Sequence, residues 1–276
     1  MQHPLFSFGV VADLQYGDLE PWEDRYFRNS PIKLAQAVEF FNRQNPAFVV
    51  DLGDVVDRGW EHFDGILPVY RRIDCPVHMV AGNHDFEVSS EKKPHVLSRL
   101  GIGRGWYSFM RDSWRFIVLN GADVSTFAFP ADHPRHVLAE SWIDRLNSSG
   151  TQNGNPWNGG IGPEQLNWLR EELDMASGHG QRTAVFCHYP VYPAHRHNLL
   201  NDTELLELLE RYDHLVAWFC GHNHDGNYGI KKGVHYVTFR GMVDTENEPA
   251  FCFVQVYDDR LELEGLGREP SRTLYF

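Results

Sequence analysis

The chain has 276 residues, of which 42% are hydrophobic and 13% aromatic, enough to bury a full-sized core without disulfides or structural metals. Its 25 Lys and Arg residues against 38 Asp and Glu residues give a formal net charge of −13. Because nucleic acids and anionic membranes are bound by clustered Lys and Arg, this balance argues against both as partners. An anionic substrate must then be met by local positive charge, and bound metal ions are one source of it.

Features that report on the cellular compartment are few. The N-terminal segment 1–12 lacks a positively charged start, so it does not predict a signal peptide. No apolar run approaches the roughly 18 residues that a membrane span needs. The cysteines contain no C-x-x-C pair, have apolar neighbours, and are expected to be buried reduced thiols: Cys75, Cys187, Cys220 and Cys252. We therefore expect a cytoplasmic protein.

Short apolar runs alternate with helix-like segments along most of the chain, and this alternation predicts an α/β fold. One helix is expected to open with Ser30 as its cap and Pro31 at its first position, and another to begin at Pro163. Near-continuous apolarity is typical of strands buried on both faces. Six such strands are predicted at Leu5–Ala12, Phe48–Leu52, Val77–Val80, Arg115–Leu119, Thr183–Cys187 and Leu215–Cys220.

The last part of the chain changes character. Three further strands are predicted there without a helix between them, at Val234–Phe239, Phe251–Tyr257 and Leu261–Leu263, the last two joined at Asp258–Asp259. This pattern predicts a mixed sheet, or two facing sheets with helices outside. The Asn-, Gly- and Ser-rich residues 147–162 are expected to form a surface loop. In the absence of a repeat or linker, we expect one domain over residues 1–276.

Polar side chains follow five of the predicted strands at the point where each strand ends. In open α/β sheets, ligands bind beyond the carboxyl ends of the strands, so these side chains are expected to converge. The set comprises Asp13, Gln15, Asp54, Asp57, Asn83, His84, His188, His222 and His224.

Oxygen and imidazole ligands without a thiolate suit manganese, iron, zinc or magnesium. The set is too large for one tetrahedral zinc, which takes three protein ligands in catalytic sites. Two metal ions that share one carboxylate ligand could be coordinated by the whole set. Such a pair, about 3.5–4 Å apart, can clamp an in-line phosphoryl displacement. The sequence therefore predicts a binuclear metal centre.

The order of the motifs resembles the calcineurin-like metallophosphoesterases: Asp-x-Gln, Gly-Asp-x-x-Asp, Gly-Asn-His-Asp, a single His, and Gly-His-x-His. The resemblance covers Asp13 through His224. It implies a four-layer αββα sandwich of two mixed sheets flanked by helices. It also implies a first metal held by Asp13, Gln15, Asp54 and His224, and a second held by Asp54, Asn83, His188 and His222.

The same resemblance implies roles around the metals. His84 matches the family's catalytic histidine, which Asp57 would orient, and Asn83 would help to stabilise the developing charge. Arg58 stands where related phosphatases contact phosphate, although an arginine after Asp57 could equally form a salt bridge.

Gln15 stands where the family usually has His, and a neutral amide oxygen favours manganese over iron. The Asp-x-Gln motif also occurs in one branch, the manganese-dependent ADP-ribose/CDP-alcohol diphosphatases. Further segments are similar to that branch: Asn158-Gly-Gly-Ile-Gly-Pro-Glu-Gln-Leu-Asn-Trp168, His188-Tyr-Pro-Val-Tyr-Pro193, Gly221-His-Asn-His-Asp-Gly226 and Gly267-Arg-Glu-Pro-Ser-Arg272. The similarity implies cleavage of a pyrophosphate bond in a small-molecule nucleotide by a metal-activated hydroxide. The base would need an apolar slot, for which Trp22, Trp157 and the loop from His195 to Leu200 are candidates.

Two alternatives stay open. One is a phosphodiesterase or phosphomonoesterase of the same family on another substrate, such as a cyclic nucleotide or a phosphoprotein, and Gly53–Gly59 is similar to protein phosphatases. The other is a non-catalytic scaffold like the retromer subunit of this family, in which the catalytic set has decayed. Here the set is complete. Motifs of serine hydrolases, zincins and P-loop NTPases are missing from the sequence, and no protein partner is predicted.

Overall fold

The apolar runs of the sequence form strands of two mixed sheets. A computed structural model describes residues 3–276; Met1 and Gln2, the start of the segment judged not to be a signal peptide, lie outside the described residues. The strands are β1 (Phe6–Val11), β2 (Phe48–Asp51), β3 (Val77–Met79), β4 (Tyr107–Arg111), β5 (Trp114–Val118), β6 (Arg182–Phe186), β7 (Leu215–Cys220), β8 (Asn227–Lys231), β9 (Val234–Thr238), β10 (Ala250–Val256), β11 (Arg260–Gly267) and β12 (Arg272–Tyr275).

The helices connect these strands. They are α1 (Ser30–Gln44), α2 (His62–Tyr70), α3 (Val96–Arg99), α4 (Pro134–Ser149), α5 (Pro163–Gly178) and α6 (Asp202–Leu209). Short 3-10 helices cover Phe27–Asn29, His84–Phe86 and Lys93–His95. None of the helices described in residues 3–276 combines the length and apolar character needed to cross a membrane.

The first sheet has the strand order β12-β11-β10-β1-β2-β3, and the second has β4-β5-β6-β7-β9-β8. The strands β1, β2 and β3 are parallel, as are β5, β6, β7 and β9. The remaining pairings are antiparallel. In each sheet the parallel strands therefore point their carboxyl ends to one edge.

The two sheets pack face to face through aromatic side chains. Phe8 stacks on Phe48 at a ring-centroid distance of 4.9 Å, and it meets Phe116 of the other sheet edge-on at 5.7 Å. On the outer face of the first sheet, Phe41 of α1 packs against Phe251. On the outer face of the second sheet, Leu166, Leu169 and Leu173 of α5 lie in the hydrophobic cluster that covers this sheet. This is the predicted four-layer αββα sandwich.

The nine predicted strands form within one or two residues of their expected bounds, except that β11 extends further than predicted. The sequence analysis missed β4, β8 and β12, which are all edge strands. Their side chains are mostly half-buried or exposed, so these segments lack the continuous apolar run that marks a central strand.

Two local predictions are wrong. Helix α1 begins at Ser30 itself, and the Ser30 hydroxyl donates to the carbonyl of Leu14 instead of capping the helix. The Asn- and Gly-rich segment starts within α4 and is not wholly at the surface, because Asn158 and the residues up to Ile161 are buried. That burial brings Asn158 against the candidate metal centre.

Candidate metal centre

The predicted site residues converge where the strand ends of the two sheets meet. The backbone N–H of Asp13 donates to the Gly53 carbonyl at 3.0 Å, which joins the loops after β1 and β2. The N–H of His222, after β7 in the other sheet, reaches both Asp13 carboxylate oxygens at 3.1 Å. Residues that are distant in the sequence are thus held together by direct hydrogen bonds.

The backbone turns sharply at this convergence. Asp13, Gln15, Asp54 and His222 all have φ between 44° and 66°, in the left-handed region that non-glycine residues rarely adopt. Each such residue costs on the order of 1–3 kcal/mol, which persists only where the surrounding structure enforces it. Four of the ten described non-glycine residues with positive φ are thus predicted metal ligands.

Two glycines of the motifs make the close packing possible. A Cβ atom at Gly82 would overlap the Asp54 carboxylate, and one at Gly221 would overlap the Asp13 carboxylate. Only glycine, which has no side chain, lets the backbone after β3 approach Asp54 and the backbone after β7 approach Asp13. This explains why glycine precedes both Asn83 and His222.

The described residues contain two groups of possible metal ligands, each with its ligand atoms within 4.8 Å of one another. One is Asp54, His188 and His222, and the other is Asp57, His84 and Glu87. The His188 Nε2 atom lies 3.2 Å from Asp54 Oδ2 and 3.2 Å from His222 Nδ1. The opposite ring nitrogens face outward, His188 Nδ1 to the Leu52 carbonyl at 2.8 Å and His222 Nε2 to Asn158 Oδ1 at 3.0 Å. Each imidazole is therefore oriented with one nitrogen toward a common point.

His224 and Gln15 lie beside this group. His224 Nδ1 contacts Asp244 Oδ1 at 3.0 Å, and its Nε2 atom lies 3.6 Å from Asp13 Oδ1. The Gln15 amide is turned so that Nε2 faces Asp54 Oδ2 at 3.3 Å, while Oε1 accepts from Arg25 at 3.3 Å. Because a metal needs the amide oxygen, ligation by Gln15 requires this amide to turn over and release Arg25.

The electrostatics of the group match a cation site. Burial opposes the charged form of Asp54, yet the neighbouring His188 and His84 hold the pKa of this carboxyl well below its usual range. Burial also opposes protonation of His188, but Asp54 raises the pKa of this imidazole to about 9. His222, buried beside His188, has its pKa lowered well below the usual value. The carboxylate of Asp54 therefore favours positive charge at this point, which a bound metal ion would supply.

An unpartnered oxygen of Asn83 further indicates that the donor set binds divalent cations. The Oδ1 atom of Asn83 is buried and has no hydrogen-bond partner among the described residues. Such an orphaned acceptor is costly in a protein interior unless a ligand satisfies it. Together with the carboxylates of Asp13 and Asp54 and the three imidazoles, it makes an oxygen- and nitrogen-rich set without thiolates.

His84 faces the same space from the side of β3. Its backbone N–H donates to Asp54 Oδ1 at 2.7 Å, and its Nδ1 atom lies 3.5 Å from Asp57 Oδ2 and 3.2 Å from Glu87 Oε1. Burial opposes a charged imidazole, but Asp54, Asp57 and Glu87 raise the pKa of His84. Glu87 follows the Gly-Asn-His-Asp motif without being part of it, and the sequence analysis missed it.

Arg58 pairs with Asp57, its Nε atom donating to Asp57 Oδ1 at 2.6 Å. Its side chain is 55% exposed and lines a cavity of about 590 Å³ that also contains His84. The salt bridge considered for Arg58 is therefore present, and the guanidinium is also open to the cavity.

A second cavity of about 340 Å³ is lined by five of the seven candidate metal ligands, all but the fully buried Asp13 and His188. It shares Trp22, Arg25, His84 and Glu87 with the first cavity. Trp157, Arg196 and His197 form its other wall. The structure thus places Trp22 and Trp157 in the cleft. It does not place Leu200 there: this side chain is 1% exposed and packs against Val124 and Ala139 in the core.

Sequence reasoning also missed Asn158 and Asp244, the residues that orient His222 and His224. Arg268 donates in turn to Asp244 Oδ2 at 3.1 Å. Asn158 begins a segment that carried the resemblance, which was a signal for its importance. No motif marked Asp244.

Comparison with known proteins agrees with this geometry. Residues 6–226 match the family model for calcineurin-like phosphoesterases, and the chain belongs to that family. It is a hydrolase of phosphate ester or anhydride bonds, as the sequence predicted.

Individual relatives of the chain carry names that state a more specific activity than the family description. The chain is 32% identical to a protein of Arabidopsis thaliana named manganese-dependent ADP-ribose/CDP-alcohol diphosphatase, over 98% of this chain and 97% of the relative. A Homo sapiens protein of the same name is 29% identical over 99% of this chain and 93% of its own length. The crystal structure of a dimetal phosphatase from Danio rerio superposes with a TM-score of 0.89 at 28% identity, covering 99% of both chains.

Proposed function

We propose that this protein hydrolyses the pyrophosphate bond of a nucleoside diphosphate derivative, such as ADP-ribose or a CDP-alcohol, with two divalent cations that are manganese in the native enzyme. The observation that carries the proposal is the convergence of the donor set where the strand ends meet beside one cleft, with glutamine rather than histidine at position 15. Relatives named for this activity that match nearly the whole chain support the choice of substrate.

The proposed metal ligands are those inferred from the motifs. Asp13, Gln15, Asp54 and His224 hold one ion, and Asp54, Asn83, His188 and His222 hold the other. When bound, the ions supply positive charge to the phosphate and lower the pKa of water toward neutrality. The buried Asp54 lies between the two sets of side chains, because its Oδ2 atom approaches both Gln15 and His188.

Around this centre the chain supplies positioning and proton transfer. Asn83 directs its amide toward the phosphate oxygens, and His84 donates a proton to the departing oxygen. Asp57 and Glu87 hold the imidazole of His84 and favour its charged form. Arg58, paired with Asp57 but open to the cleft, contacts the substrate phosphate.

The cleft is large enough for a nucleotide, since its two connected cavities have volumes of about 340 and 590 Å³. Trp22 and Trp157 offer two flat apolar surfaces on its walls, on which a nucleobase can stack. Trp22 is 57% exposed, so its ring is accessible to a ligand in the cleft.

We also propose that the protein is a single domain over residues 1–276 and that it acts in the cytoplasm. All four cysteines are unpaired, which suits a reducing compartment. Microscopy of the fluorescently tagged chain tests the location, and a signal confined to secretory compartments would contradict it.

A phosphomonoesterase is the second candidate function. The observation that favours it is Arg58 within Gly53–Gly59, since this guanidinium is open to the cleft beside His84. In that case the cleft would receive a terminal phosphate instead of an internal pyrophosphate.

Product analysis distinguishes the two. We expect the manganese-loaded protein to convert ADP-ribose into AMP and ribose 5-phosphate, and CDP-choline into CMP and phosphocholine, without release of inorganic phosphate. The same enzyme is tested on AMP, a cyclic nucleotide and p-nitrophenyl phosphate. Rapid phosphate release from the monoesters, with both diphosphates left intact, would replace the proposal with the phosphomonoesterase.

A further inference from the structure

Two arginine–tryptophan pairs stand on the walls of the cleft. The Arg25 guanidinium carbon lies 5.6 Å from the ring centroid of Trp22, and that of Arg196 lies 5.2 Å from Trp157. Such cation–π contacts orient a guanidinium without consuming its hydrogen-bond donors. Each wall of the cleft therefore presents a positive charge on an aromatic platform.

The arginines of the cleft differ in what already binds them. Arg58 donates to Asp57. Arg25 donates to Gln15, and although metal ligation by Gln15 would break this bond, it would leave Arg25 beside that metal ligand. For Arg196, no carboxylate lies within ion-pair distance of the guanidinium in the part of the chain that the structure describes, residues 3–276. In a protein of net charge −13, this is a positive charge left for a ligand.

The backbone of Arg196 is tied to the metal centre. Its carbonyl accepts hydrogen bonds from the Asn158 Nδ2 atom at 2.8 Å and from the Asn155 Nδ2 atom at 3.0 Å. The other side of the same Asn158 amide contacts His222 Nε2 at 3.0 Å. One fully buried side chain thus sets the position of Arg196 relative to a candidate metal ligand.

We infer that Arg196, held on the face of Trp157, binds the phosphate that does not lie at the metal centre and so makes the enzyme prefer diphosphates. The inference rests on the proposed function. An internal pyrophosphate carries one negative charge on each phosphate, and the metal centre meets only one of them. A planar guanidinium fits the second phosphate with two parallel hydrogen bonds.

The test compares two substrates for one variant. We expect Arg196→Gln to lower kcat/KM for ADP-ribose about 10- to 100-fold, as for the loss of a charge-assisted hydrogen bond. Bis(p-nitrophenyl) phosphate has a single phosphate and so nothing for Arg196 to bind. For this substrate the kcat/KM of the variant should differ from that of the wild type by less than about threefold. Arg170→Gln is the matched control, because Arg170 lies exposed on α5 and bonds to Asn167. It should behave as wild type on both substrates.

Other outcomes separate the possible errors. Arg196→Lys should recover only part of the lost activity, since it keeps the charge but not the planar fork. An equal loss on both substrates, or a drop in bound manganese measured by mass spectrometry, would overturn the inference and make Arg196 a support of the metal centre. Unchanged kinetics on ADP-ribose would also overturn it. If the wild-type enzyme leaves diphosphates intact, the proposed function itself fails.

Discussion

At the scale of single residues, the three histidines proposed to bind metal share one arrangement. In each ring the nitrogen facing away from the centre contacts a fixed acceptor: the Leu52 carbonyl for His188, Asn158 for His222 and Asp244 for His224. An outer contact of this kind fixes the tautomer and the ring plane, so the nitrogen that faces inward is determined before a metal arrives.

Asn158 offers the cleanest test of this arrangement. Asn158→Ala removes the acceptor of His222 Nε2, and we expect manganese affinity to fall about 10- to 100-fold. Isothermal titration of the metal-stripped protein measures it. Asn155→Ala is the control, because Asn155 also bonds the Arg196 carbonyl but does not contact His222. Equal affinities in the two variants would show that Asn158 does not position the ligand.

Asp54 is the residue on which both proposed metal positions depend. Asp54→Asn keeps the shape of the side chain, and its remaining oxygen can still accept the His84 N–H. It removes the charge that faces the cations, so we expect both metal occupancy and turnover to collapse while the circular dichroism spectrum stays native. Two tightly bound metals and a near-normal rate in this variant would remove the binuclear model. Asp174→Asn serves as the control, because Asp174 lies outside the site and accepts an exposed hydrogen bond from the Tyr212 hydroxyl.

His84 is predicted to act on the leaving group. His84→Ala should keep both metals and lose about 10²–10⁴-fold in rate on diesters whose leaving group is an alkoxide. The loss should be much smaller with nitrophenyl esters, because nitrophenolate departs without a proton. The measurement is the rate of wild type and variant on a series of diesters, from which the rate loss is plotted against the pKa of the leaving group. A uniform loss across the series would mean that His84 orients substrate instead.

At the scale of elements, β3 and β4 are edge strands of different sheets that meet through His78. The His78 ring stacks on Phe109 at 3.7 Å, and its Nδ1 atom lies 3.2 Å from the Tyr107 hydroxyl. Burial in this aromatic contact lowers the pKa of His78 to about 4. The folded state therefore holds this imidazole neutral, whereas the unfolded chain titrates it near its ordinary value.

This shift predicts a pH dependence of stability with a definite sign. The contribution of His78 is present above the unfolded pKa, about 6.5, and is lost as the pH falls from there toward 4. Urea unfolding of wild type and His78→Phe at pH 7.5 and pH 5.0 measures it. The wild type should lose stability relative to the variant at the lower pH. A constant difference between the two proteins would show that His78 is not buried as a neutral ring.

At the scale of the whole molecule, the metal centre lies between the two sheets. Asp13 and Asp54 extend from one sheet, while His188 and His222 extend from the other. A cation held by these residues would therefore link both halves of the sandwich and stabilise the folded chain.

Manganese should raise the melting temperature accordingly. At a free concentration 100 times the Kd, binding adds about 2.7 kcal/mol of stability, which corresponds to roughly 5–10 °C for a protein of this size. Differential scanning calorimetry with manganese and with a chelator measures the shift. Asp54→Asn should show a much smaller shift. The same shift in that variant would place the stabilising ion elsewhere.

The sequence by itself determined the central strands, the strand-end motifs and the family. These are local properties: a strand buried on both faces must be apolar, and a metal ligand must be a residue of suitable chemistry. The polar side chains after β1, β2, β3, β6 and β7 could be read one motif at a time.

Only the tertiary structure decided the edge strands and the residues that support the site. An edge strand such as β8 is stabilised by its neighbour's hydrogen bonds and needs no apolar run of its own. The partner of His222 lies 64 positions away in the chain, and that of His224 lies 20 positions away. Asn158 and Asp244 are ordinary polar residues whose roles arise from what the fold places beside them. The position of Leu200, predicted at the cleft but buried in the core, likewise depends on which residues the fold brings beside it.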